Sequence, residues 1–430
     1  MKIIKERVKK RLKLWRNRIL IVTWITYASF YLCRVNMSIA MPGIMDEFGI
    51  SKTEMGGVLT ALFSAYAIGQ FVNGQLGDKL GARKIITIGI LSSALLNIIF
   101  GFSTGILILM MLIWALNGYF QSMGWSLSVK TIANWFPLKK RGKASAVLGT
   151  SYQVGNAASW VLAGLVIGAL GWRYGFWIPA LIFIAVAIFW YNRARNAPEE
   201  VGLATIEEDE SGKKLKGEVR NDNHLGFRYT CKQCLMNPRI WIVALGLFFL
   251  NIVRYGFLSW APTYMFEVQK ATISTAAYKA IAIPVAGSVG AIYAGWLSDK
   301  KFQSRRAPMA VIMLLMLSIA SFLYPQVPTG DWVLSLILLM VIGFMLYGPH
   351  VLMVTTMPMD YGTRKAAASA AGFIDGWGYI GAAITGVASG WLIDNFGWNA
   401  AFNFWIVSAI CTAVLMAMLW NYKPKKGKYH

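Results

Sequence analysis

The sequence predicts an all-α membrane protein of twelve transmembrane helices arranged as two pseudo-symmetric six-helix bundles, and three observations carry that prediction. Of 430 residues, 57% are apolar and only 14% charged, against about 25% charged in an ordinary soluble domain. The apolar residues gather in runs of roughly 20, enough at 1.5 Å per helical residue to cross a hydrocarbon core of ~30 Å. Landmarks also recur at nearly one separation. Arg34 and Arg254 are 220 residues apart, Asp78 and Asp299 are 221 apart, and Lys143 and Lys365 are 222 apart. Backbone groups in lipid must be satisfied within the segment, so each run is expected to be a helix.

Taken in order, residues 1–18 read as a basic N-terminal tail, Lys2 to Arg18. An N-terminal half then covers 19–191, with spans near 19–42, 54–77, 83–103, 105–135, 143–168 and 171–191. The first run is long, carries Arg34 and has no small-residue cleavage site after it, which argues against a signal peptide. Loop 43–53 holds few basic residues and Lys139 to Lys143 holds many, so the two lie on opposite sides of the membrane. Residues 192–238, charged in both signs and including Glu207 to Glu210, read as a linker. The C-terminal half, 239–422, has spans near 239–266, 274–297, 307–325, 331–356, 365–393 and 398–422, and a basic tail follows at 423–430. Lys300 to Arg306 again marks an inner loop. By the positive-inside rule both termini are cytoplasmic, and the chain is a multi-pass protein of the cell membrane.

The net charge of +23, from 42 Lys and Arg against 19 Asp and Glu, would point to nucleic acid in a soluble protein. Here those residues sit in tails and alternate loops, so no nucleic-acid partner is expected. Cys231, Cys234 and His224 supply three of the four ligands a zinc site needs. Without a fourth they read as two reduced thiols near a helix start, and neither metal nor cofactor is expected. Three histidines form no triad, so the chain is not read as an enzyme. No ATP motif is present.

Arg34 and Arg254 carry the chemistry. Each stands 15 residues past the start of its predicted span, ~22 Å along the axis. A central arginine costs ~2.5–3.5 kcal/mol on insertion scales, and two occur at matched depth. Neither span offers a carboxylate at that level, and one intramembrane acid, Asp375, cannot serve both. Two planar guanidinium forks converging on a phosphate group account for the pair, whereas lysine would supply only point charges. Tyr27 and Tyr31 share a helical face with Arg34 at i, i+4 and i+7. Tyr66 and Gln70 repeat the i, i+4 spacing, and Tyr255 adjoins Arg254. Tyr152 is the approximate repeat counterpart of Asp375, so both are expected to face a central cavity. Asp78 and Arg83, with Asp299 and Arg305, stand at the inner ends of the second and eighth spans, where they suit conformational latches between the halves.

The run Gly77-Asp78-Lys79-Leu80-Gly81-Ala82-Arg83-Lys84 resembles the major facilitator superfamily. Finer stretches resemble its organophosphate:phosphate antiporter family: Tyr31 to Asn36, Gln121 to Trp125, Arg254-Tyr255-Gly256 followed by Trp260 to Tyr264, Tyr347-Gly348-Pro349, and Ala370 to Phe373. The resemblance implies the major facilitator fold, with Arg34 and Arg254 as the phosphate-binding pair, Tyr66 lining the site, and Tyr27, Tyr31 and Trp125 as cavity aromatics. It also implies exchange of a phosphorylated small metabolite (sugar phosphate, glycerol phosphate or phosphoglycerate) for inorganic phosphate, by a carrier expected to be a monomer in the lipid bilayer. Glycerol-3-phosphate carriers have a lysine where this chain has Gln70, a histidine where it has Tyr152, and no carboxylate where it has Asp375. The phosphate end of the substrate is therefore implied and its organic end is open. Two alternatives stand beside exchange: a proton-coupled organic-anion symporter, and a hexose-phosphate sensor that does not transport.

Overall fold

The computed structural model describes residues 2–203, 236–303, 305–358 and 367–422, with the side chains at 2–9, 71, 74–75, 77–79, 138–143 and 367–370 left out. Most of the charged linker with Cys231, Cys234 and His224, the C-terminal tail, Lys365, and the side chains of Asp78 and Lys143 therefore lie outside the described residues.

The chain is helical throughout the described residues, with no strand. Helices Lys2–Ser29 and Asn36–Phe48 form the first span and Lys52–Leu80 the second. The third is Ala82–Gly101, and the fourth is built from Leu107–Gln121 and Trp125–Trp135. Leu138–Leu170 and Tyr174–Arg193 complete the first half. The second half runs through Pro238–Glu267, Ile273–Ala280 with Ala282–Lys300, Arg306–Leu323, Trp332–Val351, Ala367–Phe396 and Trp398–Ala417. Ten of these spans are long and apolar enough to cross a membrane. The other two, Lys52–Leu80 and Ala367–Phe396, are as long at 29 and 30 residues. They pack against one another across the two halves, so their polar residues need not meet lipid.

The basic segment 2–18 is the beginning of the first helix, where the sequence reads as a separate tail. The first span is also interrupted where the apolar run predicts one continuous helix. A 3-10 turn, Phe30–Cys33, separates its two helices. Neither Pro nor Gly stands at the interruption; polar side chains from other spans reach into the backbone instead, a recognised cause of kinks. Asn117 Nδ2 and Asn97 Nδ2 donate to the Cys33 carbonyl at 2.9 and 3.2 Å.

The duplication is visible in backbone packing. Gly118 of the fourth span lies so close to the Leu62 carbonyl of the second that a Cβ would overlap it, and Gly343 of the tenth span lies equally close to the Ile283 carbonyl of the eighth. Only glycine allows helix backbones to approach in this way.

The halves meet along a seam at the end of the bundle opposite the chain termini. Gly56 and Gly386 abut across it, as do Gly164 and Ala277. Thr60 Oγ1 donates to the Ala383 carbonyl at 2.5 Å, and Ser274 Oγ donates to the Gly164 carbonyl at 2.8 Å. Lys52 pairs with Glu267 at 3.2 Å. Asp394 accepts from Thr53 N at 2.7 Å and Thr53 Oγ1 at 2.6 Å, so one half caps the helix N-terminus of the other. Toward the termini, Gly149, Gly295 and Gly372 share helix faces with the seam and cavity residues, yet a Cβ at any of them would meet nothing within 4 Å. Among the described residues, the halves are thus clasped at one end and parted at the other.

Candidate functional site

Arg34 follows directly on the interruption of the first span, so its side chain leaves a backbone already turned out of helical register. Its Nε and Nη2 both donate to Gln121 Oε1, at 3.1 and 3.0 Å. Its guanidinium lies 4.8 Å from the ring centroids of both Tyr31 and Tyr66. Cation–π contacts of this kind contribute about 0.5–2 kcal/mol each, more as water is removed. Arg254 rises from the middle of Pro238–Glu267, with its guanidinium 4.9 Å from Tyr255 and 5.3 Å from Tyr347. Nη1 donates to Tyr255 Oη at 3.3 Å, while Nε is buried with no protein partner. The two arginines are 8% and 7% exposed, and among the described residues neither has a carboxylate within 4.0 Å. Two buried cations without anions would be costly in a finished hydrophobic core.

Both line one cavity, together with Tyr31, Phe63, Asn156 and Tyr255. Its free space between the arginines is about 30 Å³, room for about two waters. Asn156, which lines it, has both amide atoms buried without a protein partner, as are Tyr66 Oη against Arg34, Tyr347 Oη against Arg254, and Gln70 Nε2 one turn from Tyr66. Buried polar atoms are normally satisfied, so this wall is chemically suited to a polar, anionic ligand.

Of the residues singled out in the sequence, Tyr31, Arg34, Arg254 and Tyr255 border the cavity directly. Tyr66 lies over Arg34 and packs on Tyr379 at 4.7 Å, with Gln70 one helical turn further along. Tyr152 stacks on Tyr347 at 6.4 Å across the boundary between halves. Tyr27 and Trp125 stand behind: they contact one another at 4.9 Å, and Tyr27 meets Tyr31 at 6.0 Å. Asp375 is half-buried and forms no ion pair with Arg254. The latch residues that are described bond inside their own halves. Arg83 Nε donates to the Tyr191 carbonyl at 2.7 Å, Arg305 Nε donates to the Phe302 carbonyl at 3.3 Å, and Asp299 pairs with Arg306 at 2.6 Å.

Four wall residues escape the sequence reading: Gln121, Asn156, Tyr347 and Tyr379. Tyr379 stands one turn after Asp375, and Asn156 one turn after Tyr152, so the i, i+4 rule applied to those two positions finds them. Gln121 and Tyr347 lie within the family-like stretches, but nothing local assigns them a partner.

Two clasped six-helix halves around a pair of buried arginines make this a membrane protein of the duplicated twelve-helix type. The profile of the Major Facilitator Superfamily matches residues 21–386. Over 96% of its length the chain is 33% identical to the glycerol-3-phosphate transporter of Bacillus subtilis, covering 93% of that protein. It is 31% identical to a probable hexose phosphate transport protein of Chlamydia pneumoniae, over 98% of this chain and 95% of the other. It is 28% identical to the membrane sensor protein UhpC of Escherichia coli, over 97% and 95%. A bacterial homologue of the human lysosomal transporter Spinster, solved in an inward-facing, unoccupied conformation, superposes with a TM-score of 0.76 at 16% identity, over 94% of this chain and 95% of that one, and shares the fold. The chain therefore belongs to the Major Facilitator Superfamily and, within it, to the organophosphate:phosphate antiporter family, and it is a multi-pass membrane protein.

Proposed function

We propose that this protein carries a phosphorylated small metabolite across the cell membrane in exchange for inorganic phosphate, by alternating access, with both termini on the cytoplasmic side. The observation that carries this reading is the pair Arg34 and Arg254, buried on one cavity with no carboxylate partner among the described residues. A phosphate group supplies the missing charge and presents oxygens in a geometry that guanidinium forks match bidentately. Relatives named as a glycerol-3-phosphate transporter, a probable hexose phosphate transport protein and a phosphoglycerate transporter support that substrate class. Tyr31, Tyr66 and Tyr255 line the phosphate end. Gln70, Tyr152 and Asp375 stand where an organic moiety would be read, with Tyr27 and Trp125 backing the first span.

Orientation follows from the basic inner loops. With the termini inside, the parted end faces the cytoplasm, and the seam through Gly56 and Gly386 shuts the outside. Reorientation would close the inner end, where we assign Asp78, Arg83, Asp299 and Arg305 the role of pairing across the halves.

The sensor relative favours a second reading, in which the same site binds its ester without carrying it. One experiment separates the two. Purified protein in phosphate-loaded proteoliposomes is expected to take up labelled phosphate, and glycerol-3-phosphate, hexose-6-phosphates and phosphoglycerates in the panel are expected to compete selectively. Binding without flux would establish the sensor, and absence of both would end the phosphate reading.

A further inference from the structure

The two arginines are held very differently, and the difference gives a role to a residue for which the sequence assigns no partner. Arg34 is gripped twice. At its tip, Gln121 Oε1 accepts from both Nε and Nη2. At its root, the preceding carbonyl, Cys33 O, is held by Asn117 and Asn97. One unbroken chain of hydrogen bonds joins the two grips. Gln121 Nε2 donates to Ser93 Oγ at 2.8 Å, and Ser93 Oγ donates to Asn117 Oδ1 at 2.6 Å. Asn117 Nδ2 then returns to the Cys33 carbonyl. Because Ser93 must donate onward to Asn117, it can only accept from Gln121. That fixes the glutamine with its oxygen toward Arg34. Gln121, Ser93, Asn97 and Asn117 are all fully buried.

Among the described residues, the second half lacks this apparatus. The glycine contacts that relate the fourth and tenth spans, Gly118 on Leu62 and Gly343 on Ile283, set the register between them. Carried along that register, Asn117 falls on Ile342 and Gln121 on Leu346, two fully buried aliphatic residues. Arg254 accordingly has one bond, at 3.3 Å to its neighbour Tyr255, and an unpartnered Nε.

We infer that Gln121 is a positioning residue that presets Arg34 as the fixed dock for the phosphate group, leaving Arg254 as the arm that adjusts when the halves move. This rests on the phosphate reading of the site. An amide is the side chain suited to the task. It orients a guanidinium fork through two hydrogen bonds yet leaves the whole positive charge for the ligand, whereas a carboxylate there would discharge it. Preorganisation of one half-site lowers the entropy lost on binding, and the loose partner lets one site grip in more than one conformation.

The test compares wild type, Gln121→Met and Gln121→Glu as full-length chains in proteoliposomes, reading KM and maximal rate of phosphate self-exchange from mildly acidic to mildly alkaline pH. Each KM is divided by the wild-type value at the same pH, which removes the ionisation of phosphate itself. Gln121→Met is expected to raise KM roughly ten- to hundredfold, the loss of a hydrogen bond to a charged group, at every pH and with little change in maximal rate. In Gln121→Glu the ratio should be greatest at alkaline pH and fall toward one as the pH drops, because a protonated carboxyl again offers a neutral acceptor. The groups facing that position, Arg34 and the Tyr31 and Tyr66 rings over its guanidinium, are the same in all three proteins. A protein destabilised in general would show no recovery with acid. Wild-type KM in both variants, or a fall in maximal rate with KM and pH profile unmoved, overturns the inference. Should wild type itself carry no phosphate, the functional reading fails separately. Thermal protection by phosphate in detergent then ranks the three proteins, and equal protection of all three overturns the role of Gln121.

Discussion

At the residue scale the site turns on geometry as much as on charge. Lysine at position 34 would keep the cation but lose the fork, and one ammonium cannot both hold Gln121 side-on and lie flat between Tyr31 and Tyr66. Arg34→Lys and Arg254→Lys are therefore expected to insert and fold normally yet lose at least about 90% of exchange, a change of about 1.4 kcal/mol or more in the affinity of the site. Initial rates of labelled phosphate uptake check this, and near wild-type rates would refute the two-fork site. Asp375 is a different case. It stands one turn from Tyr379, which packs on both Tyr66 and Tyr255, so it borders the site without bonding to either arginine. Asp375→Asn keeps the shape and removes the charge. It should spare phosphate self-exchange while changing the ranking of esters or the pH profile of ester uptake. An unchanged ranking and profile would make Asp375 a bystander.

At the scale of elements, the far-end seam depends on glycines where helices from the two halves touch. A side chain at Gly386 meets the Gly56 carbonyl and Thr60, and overpacking of this kind costs about 1–3 kcal/mol. Gly386→Val should shift the protein away from the conformation clasped at that end. The expected signs are slower exchange, by roughly five- to a hundredfold, and faster labelling of a Thr60→Cys variant by a membrane-impermeant thiol reagent added outside. No change in labelling would show that the seam tolerates the added volume. The spans themselves were legible because each must supply about 20 apolar residues, a one-dimensional requirement. The interruption before Arg34 was not. Its cause is Asn97 and Asn117, 64 and 84 residues away from the carbonyl they hold. The arginines stood out because a charge in an apolar run needs an explanation of its own. Gln121 did not, since a neutral amide in such a run is unremarkable until its partner is known. The residues proposed as latches stand out in sequence as a pattern, but a pattern assigns no partners, and here Arg83, Asp299 and Arg305 bond within their own halves.

At the scale of the whole molecule, coupling follows from what happens when the parted end closes. Closing an empty site leaves Arg34 and Arg254 dry, with no carboxylate to neutralise them among the described residues. An uncompensated buried charge costs several kcal/mol, and each 1.4 kcal/mol slows passage tenfold. A phosphate dianion or phosphate ester removes most of that cost, so the loaded carrier would reorient and the empty one would stall. The site supports this selectivity for loaded states, because the unpartnered atoms of Asn156 on the cavity and of Tyr66 and Tyr347 against the arginines also suit a polar guest. The prediction is strict counterflow. Vesicles loaded with phosphate should take up labelled phosphate at least about a hundredfold faster than vesicles containing only buffer, the difference expected from about 3 kcal/mol. The same labelled pool should stay trapped when no phosphate or ester is offered outside. A proton gradient should add little to the empty vesicles, since a proton brings no anionic oxygens to the two guanidinium forks. Rapid net uptake into empty vesicles on imposing such a gradient would instead mean that a titrating group, Asp375 first among those named, neutralises the site for the return step, and would make the protein a symporter.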